Sequence, residues 1–377
     1  MRSKKFKPMA SHESTNPDTI PFIPEEIMYN VFLRLTVRDL SRCKGVCNSW
    51  RSIISSSHFI KTHLSKSSND PHFTQHRLLS SYTPFNSDLQ LKSCSIYSLL
   101  NEPHNIEALE LEYPDTITYV VGYCNGLICL TGRGNYVFFW NPSTRNSRKL
   151  PMLDTITRRY KHITYGFCYN ELADDFKVFA VATTDWKHEM SVYSSKSDSW
   201  RLIGDFVSYK LPSGGYLGNG AMHWLVTPNL QLKDVPQRFP YIISLDVIRD
   251  TFREVMLPNC GEAIMTWSVG TFCENLCVLR KMSLDARVEL WVMRDCGDQD
   301  SWIKLFTIPH MDRLNRSLYV TPTPICTSVN GDIMLLVDST IVLYDTKDNT
   351  FRDLLNNRSC LSSKVYTYVE SLVSPSL

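Results

Sequence analysis

Ten His, twelve Cys and 38 acidic residues supply enough reactive groups for several kinds of chemistry, so their spacing has to decide. Cys43 and Cys47, and Cys273 and Cys277, are each separated by three residues, but neither pair has a second ligand pair at zinc-ribbon or zinc-finger distance. A copper-radical centre needs Tyr, Cys and His together; His162, Cys168 and His223 are the right types without a recognisable ligand spacing. No Gly-x-Ser-x-Gly, phosphate loop, His-Glu-x-x-His or dinucleotide fingerprint occurs. The glycines at 122–126 and 214–220 precede no amphipathic helix, so they read as β-turns and not as phosphate cradles. His223 reads as a half-buried strand histidine, Trp224 as core, and Asp174 and Asp175 as residues that solvate a turn. The expectation is a non-catalytic chain without metal or cofactor.

From Ile23 to Leu64 the chain is compactly helical: Ile27, Val31, Phe32 and Leu35 recur on one face of a 3.6-residue period, and Leu40, Cys43, Val46, Cys47 and Trp50 continue after a break at Thr36 and Val37. Pro24 suits the first position of a helix, and Glu25 and Glu26 suit the positive end of its dipole. Three to four short helices are predicted. About forty residues bury little core on their own, so these apolar positions either pack on the following domain or dock on another protein's helices. Periodicity alone leaves both readings open.

The balance of 40 basic against 38 acidic residues gives no broad field for phosphate backbones, so nucleic acid is not an expected partner. Arg2, Lys4, Lys5 and Lys7 form a local basic run inside a polar, aperiodic stretch at 1–20 that is predicted to be disordered. No apolar run has the length of a membrane span and no signal-peptide core follows the N-terminus, which predicts a cytoplasmic or nuclear chain with free cysteines and no membrane partner. A polar connector at 65–71 is too short for independent movement of what lies on either side.

From 72 to 377 short β-rich runs alternate with turns, and no long helical period interrupts them. A strand ending in Asn, Ser or Asp is followed, after five intervening residues, by a residue that is usually aromatic and then by Arg: Asn141 to Ser147-Arg148, Ser194 to Trp200-Arg201, Asp246 to Phe252-Arg253, Asp345 to Phe351-Arg352, with a looser copy ending at Trp302. The markers Ser147, Trp200, Phe252, Trp302 and Phe351 are 53, 52, 50 and 49 residues apart. That period is the length of a four-stranded propeller blade of the kelch kind. The polar residue is expected to open a turn by bonding its own backbone, and the aromatic to fill the wedge between blades. Runs at 76–81, 89–99 and 364–373 are predicted to combine into one last blade, giving about six blades in all and closing the ring.

The helical stretch at 22–64 resembles an F-box: Ile23-Pro24, Ile27, Val31, Leu35, Leu40, Val46-Cys47 and Trp50 follow its pattern, with Thr36 where the family commonly has Pro. That departure predicts a less rigid bend after the first helix. The segments 122–127 (GYCNGL), 140–145 (WNPSTR), 165–167, 174–178, 220–224 and 368–373 resemble the F-box associated interaction domain of plants, as part of a degenerate kelch-like propeller. The resemblance implies a small helical F-box followed by an all-β domain, joined as a substrate-recognition subunit of a Skp, cullin and F-box ubiquitin ligase. It implies that Pro24, Ile27, Val31, Leu35, Leu40, Val46, Cys47 and Trp50 meet a Skp-type adaptor and, through it, a cullin. The alternative is an interaction adaptor that works outside a ligase. The target is unknown; 229–240, 294–300 and 311–321 are the longer stretches offered for binding it. Kelch-type propellers also include copper-radical oxidases, the enzyme reading that the spacing above disfavours.

Overall fold

In the computed structural model the described residues are 23–83, 88–102, 106–113, 116–153, 162–183, 187–207, 214–226, 240–258, 264–282, 287–308, 322–354 and 364–376. Four helices come first, α1 (Glu25–Phe32), α2 (Val37–Cys43), α3 (Asn48–Ser55) and α4 (Ser57–Ser68). Pro24 is extended (ψ 143°) and stands at the cap of α1, one position earlier than expected, with its carbonyl accepting from the Ile27 and Met28 amides. The helices α2 and α4 start on hydroxyl caps, Thr36 Oγ1 accepting from Asp39 N and Ser56 Oγ from Phe59 N, each at 3.2 Å. Thr36 also donates to Asp39 Oδ2 at 2.8 Å, so a reciprocal cap fixes the bend that the missing Pro was expected to loosen. The last helix runs to Ser68, taking in most of the predicted connector.

Twenty-four strands follow as six four-stranded antiparallel sheets. The first blade holds β1 (His76–Tyr82), β2 (Gln90–Ser95) and β3 (Leu109–Glu110), with α5 (Ile96–Asn101) inserted where a continued strand was predicted. The reason is a cap: Ser95 Oγ accepts from Ser98 N at 3.2 Å. The second blade holds β4 (Ile117–Cys124), β5 (Leu127–Gly132), β6 (Val137–Trp140) and β7 (Ser147–Lys149). In the third are β8 (His162–Asn170), β9 (Asp175–Thr183), β10 (Lys187–Ser194) and β11 (Ser199–Val207). The fourth comprises β12 (Tyr216–Gly218), β13 (Ala221–Val226), β14 (Tyr241–Asp246) and β15 (Thr251–Met256). The fifth contains β16 (Ile264–Phe272), β17 (Asn275–Met282), β18 (Val288–Met293) and β19 (Trp302–Ile308), and the sixth β20 (Thr323–Thr327), β21 (Ile333–Val337), β22 (Thr340–Asp345) and β23 (Thr350–Asp353). The last strand, β24 (Lys364–Val369), pairs with β1 and becomes the innermost strand of the first blade. Inner strands then touch in a closed cycle, β24, β4, β8, β12, β16, β20 and back to β24.

The cores lie between blades. In β21, Ile333, Leu335 and Val337 face the fifth blade while Met334 and Leu336 face the first, so a strand apolar at every position serves two interfaces. Such interfaces join every neighbouring pair, including the last blade to the first. The roughly fifty-residue repeat is the hairpin from third to fourth strand: Trp140 and Ser147, Tyr193 and Trp200, Leu245 and Phe252, Met293 and Trp302, Tyr344 and Phe351 stand opposite each other. As expected, Asn141, Asp246 and Asp345 each accept two following backbone amides through Oδ1. In the third blade the buried Asp175 takes over part of this work, accepting from Ser194 Oγ, Ser195 Oγ and Lys196 N at 2.7, 2.9 and 3.1 Å, so it is a buried cap and not a solvated turn residue. Trp200, Trp302 and Phe351 fill interfaces, whereas Phe252 stays exposed.

Three of the Arg residues that follow the repeat markers reach the next blade. Arg148 pairs with Asp198 at 2.9 Å and Arg201 with Asp250, while Arg253 donates to Cys296 Sγ at 2.9 Å. Asp198 and Asp250 occupy left-handed positions (φ 49° and 54°) in the neighbouring hairpin turn, where Asp is better tolerated than bulkier residues. Lys177 joins one such link, donating to Val247 O at 2.7 Å and pairing with Asp250 at 3.1 Å.

Two segments distant in sequence meet at the second blade. Asn141, fully buried, donates through Nδ2 to Ser371 O (3.0 Å), Ser371 Oγ (3.1 Å) and Val373 O (2.7 Å), and Ser371 Oγ donates to Gly126 O at 2.8 Å. Gly126 lies in an Asn-Gly turn at φ +88°, and a Cβ there would sit 2.6 Å from Ser371 Oγ and 2.9 Å from Val373 Cγ2. Gly134, at φ +79°, would meet nothing closer than Tyr136 at 3.4 Å. Gly134→Ala should therefore cost about 1 kcal/mol of unfolding free energy in urea, and Gly126→Ala about 1–3 kcal/mol more. Equal losses would show that the 371–373 segment gives way freely.

Burial also sets the acid response. His223 is fully buried, not half-buried as expected; its Nε2 donates to Gly218 O at 2.9 Å, and desolvation lowers its pKa to about 4. His63 donates to Leu35 O at 2.9 Å and is also lowered by burial. A depressed His pKa means that the unfolded chain takes up the proton first, so stability is complete above about pH 6.5 and declines as pH falls below it, by about 3 kcal/mol from His223 alone once pH is below its folded value. The urea midpoint should drop between pH 7.5 and pH 5, and His223→Gln should flatten that drop.

Candidate functional site

The four helices close one small core and leave one apolar stripe uncovered. Phe32, Val37, Leu40, Ile54 and Phe59 are buried together, and the Trp50 ring meets Phe32 edge-on with centroids 5.1 Å apart. On the side of α1 away from this core, Ile27 and Val31 stand one helical step apart and are 54% and 46% exposed, and Ile23, ahead of the helix, is 53% exposed. Val46, in the turn before α3, is 62% exposed. Beside these, Pro24 and Cys47 are exposed, and Cys47 Sγ accepts from Trp50 N at 3.5 Å as a weak cap. Leu35 and Trp50 are half-buried against the core. Leu40 is 0% exposed and cannot touch a partner in this conformation; its predicted contact role is corrected to packing. Leu40 and Val46 both fit the apolar pattern of the sequence, so periodicity did not separate them.

Over the helical module as a whole the charge is mostly positive. Residues 23–69 contain Arg34, Arg38, Arg42, Lys44, Arg51, Lys61 and Lys66 against Glu25, Glu26 and Asp39. Asp39 is paired with Arg42 at 3.3 Å. Exposed apolar residues on a module of net positive charge suit docking on a partner with apolar pockets and net negative charge.

The helical module sits on the end of the propeller that carries the first-to-second and third-to-fourth turns. Asp174, at φ 51° in a first-to-second turn, pairs with Lys61 of α4 at 2.7 Å, and Leu372 enters the helical core. Of the stretches offered for target binding, 294–300 is a turn on this same end and is tied into the ring: Arg294 O accepts from Asn219 Nδ2 at 3.1 Å and Cys296 Sγ from Arg253. The stretches 229–239 and 311–321 lie outside the described residues. At the far end of the central channel, Tyr119, Tyr216 and Tyr366 of three inner strands gather with Lys364, whose Nζ lies 4.4 Å from the Tyr119 ring centroid.

No group of three His, Cys, Asp or Glu that could hold a metal ion occurs among the described residues. His162 is exposed at the start of β8, and Cys168, on the same strand, is buried with its thiol pushed well above the usual range by desolvation. Burial likewise raises Cys277, and pushes Cys124 up to about 12, which suits inert core thiols.

Comparison with known proteins agrees with this layout. Residues 74–375 match the F-box associated beta propeller domain, and residues 20–65 match an F-box-like domain. An F-box/kelch-repeat protein of Arabidopsis thaliana is 32% identical over 378 residues, covering 94% of this chain and 96% of that one. The F-box protein CPR1 of the same plant is 26% identical over 395 residues, covering 94% and 88%. The chain thus belongs to the family of F-box proteins that carry an F-box associated β-propeller domain.

Proposed function

We propose that this chain is the substrate-recognition subunit of a Skp–cullin–F-box ubiquitin ligase. The observation that carries the reading is the exposed stripe of Ile23, Ile27, Val31 and Val46 on a module whose own core is already closed. A helical partner with apolar pockets would cover that stripe, and the module's net positive charge would steer an acidic partner. The chain contributes no catalytic group on this reading. Its mechanism is tethering: a target held on the ring is kept at high effective concentration near a ubiquitin thioester carried by the assembled ligase. The target side is the end of the ring away from the helices, where Tyr119, Tyr216 and Tyr366 offer the aromatic contacts typical of binding hot spots. On this reading the chain works in the cytosol or nucleus.

The test is a pulldown of the full chain with a plant Skp-type adaptor and its cullin. Because Ile27 and Val31 are exposed, Ile27→Asp with Val31→Asp should weaken adaptor binding by about a hundredfold or more while the melting temperature stays within about 2 °C of the parent. Leu40→Ala should instead cost about 2–5 kcal/mol of stability, since it empties the helical core. Binding of the parent and loss in the double variant support the proposal. No binding by the parent contradicts it, and adaptor binding without cullin assembly favours the role outside a ligase.

A further inference from the structure

The chain after β24 runs between the two modules, and its residues alternate in what they touch. Ser371 and Val373 face the ring, Ser371 held by Asn141 and Gly126 and Val373 packed on the core between the second and third blades. Leu372 points the other way and is 5% exposed among Phe32, Val37, Leu40, Ile54 and Phe59. This is the period of an extended segment with two buried faces. Glu370 anchors its start, its amide donating to Gln75 O at 3.0 Å. A further link between the modules, Lys61 with Asp174, is an exposed ion pair of the kind that contributes little.

We propose that Leu372 is a positioning residue for the adaptor-binding face: it completes the helical core, so that closure of the ring by β24 and the folding of α1–α4 are one linked equilibrium. The inference rests on the adaptor reading above only for its consequence, not for the coupling itself. If β24 leaves its place beside β1, Leu372 is withdrawn from the helical core. By reciprocity, a partner that stabilises the helices must also stabilise ring closure. Adaptor binding would then tighten the propeller, and a loosened first blade would lower adaptor affinity from the opposite end of the sequence.

Hydrogen exchange on the full chain tests this, with the parent compared to Leu372→Ala and Asn141→Asp. Both variants should speed exchange of α1–α4 amides by about tenfold or more while the fourth and fifth blades keep the parent's protection. The reciprocal variant Phe59→Leu, placed wholly in the helical core, should speed exchange across 364–376. Adding a plant Skp-type adaptor to the parent should slow exchange at β24. The proposal is overturned if Leu372→Ala leaves α1–α4 at the parent's protection, or if Phe59→Leu leaves 364–376 unchanged. Should the parent fail to bind the adaptor, the ligase reading falls, and the exchange comparison without adaptor still decides the coupling.

Discussion

One buried carboxamide holds together what the rest of the molecule needs joined. The Asn141 side chain has two N–H donors and faces three acceptors of the 371–373 segment, so at least one hydrogen is shared. Its Oδ1 simultaneously accepts from Ser143 N at 2.9 Å and Thr144 N at 3.3 Å, opening the second blade's outer turn. A single residue therefore shapes a repeat hairpin, fixes the strand extension that closes the ring, and orients Leu372 toward the helices. Removing the donors would leave buried carbonyls unpaired, a cost of about 1–3 kcal/mol that no surface contact nearby can offset.

The ring around this clamp is a chain of identical decisions. Each blade buries both faces, so each strand is read by two neighbours, and a blade lacking one neighbour would expose half its apolar residues. Closure by β24 is what removes that exposed face. The Arg that follows a marker residue adds a polar staple at the rim of two blades, from Arg148 to Asp198 and from Arg201 to Asp250. In the fifth blade a longer turn puts Cys296 and Gly297 at that place, and Arg253 packs on them instead. The staple tolerates the change because apolar area, and not the ion pair, holds the blades together.

Much of this was legible in the sequence and some was not, for identifiable reasons. The marker spacing exposed the blades because the hairpins of the second, fourth and sixth obey the same local rule, an Asx turn followed by a left-handed residue. The segments GYCNGL, WNPSTR and 368–373 were recognisable singly, but nothing local says that Gly126, Asn141 and Ser371 meet, since their contact depends on closing the ring. Likewise the helix at Ile96–Asn101 hid in an apolar run whose only signal was Ser95. At the candidate site, Ile27, Val31 and Val46 are exposed, whereas Leu40 is core. That distinction depends on Leu372 and the ring covering one side of the helices, which periodicity over forty residues cannot register.

Helices and ring share a core at Leu372 and should therefore fold as one unit. Differential scanning calorimetry of the full chain tests it most directly. A single transition, with calorimetric and van't Hoff enthalpies equal, is what the shared core predicts. Two separated transitions, the smaller one matching a module of about fifty residues, would contradict it.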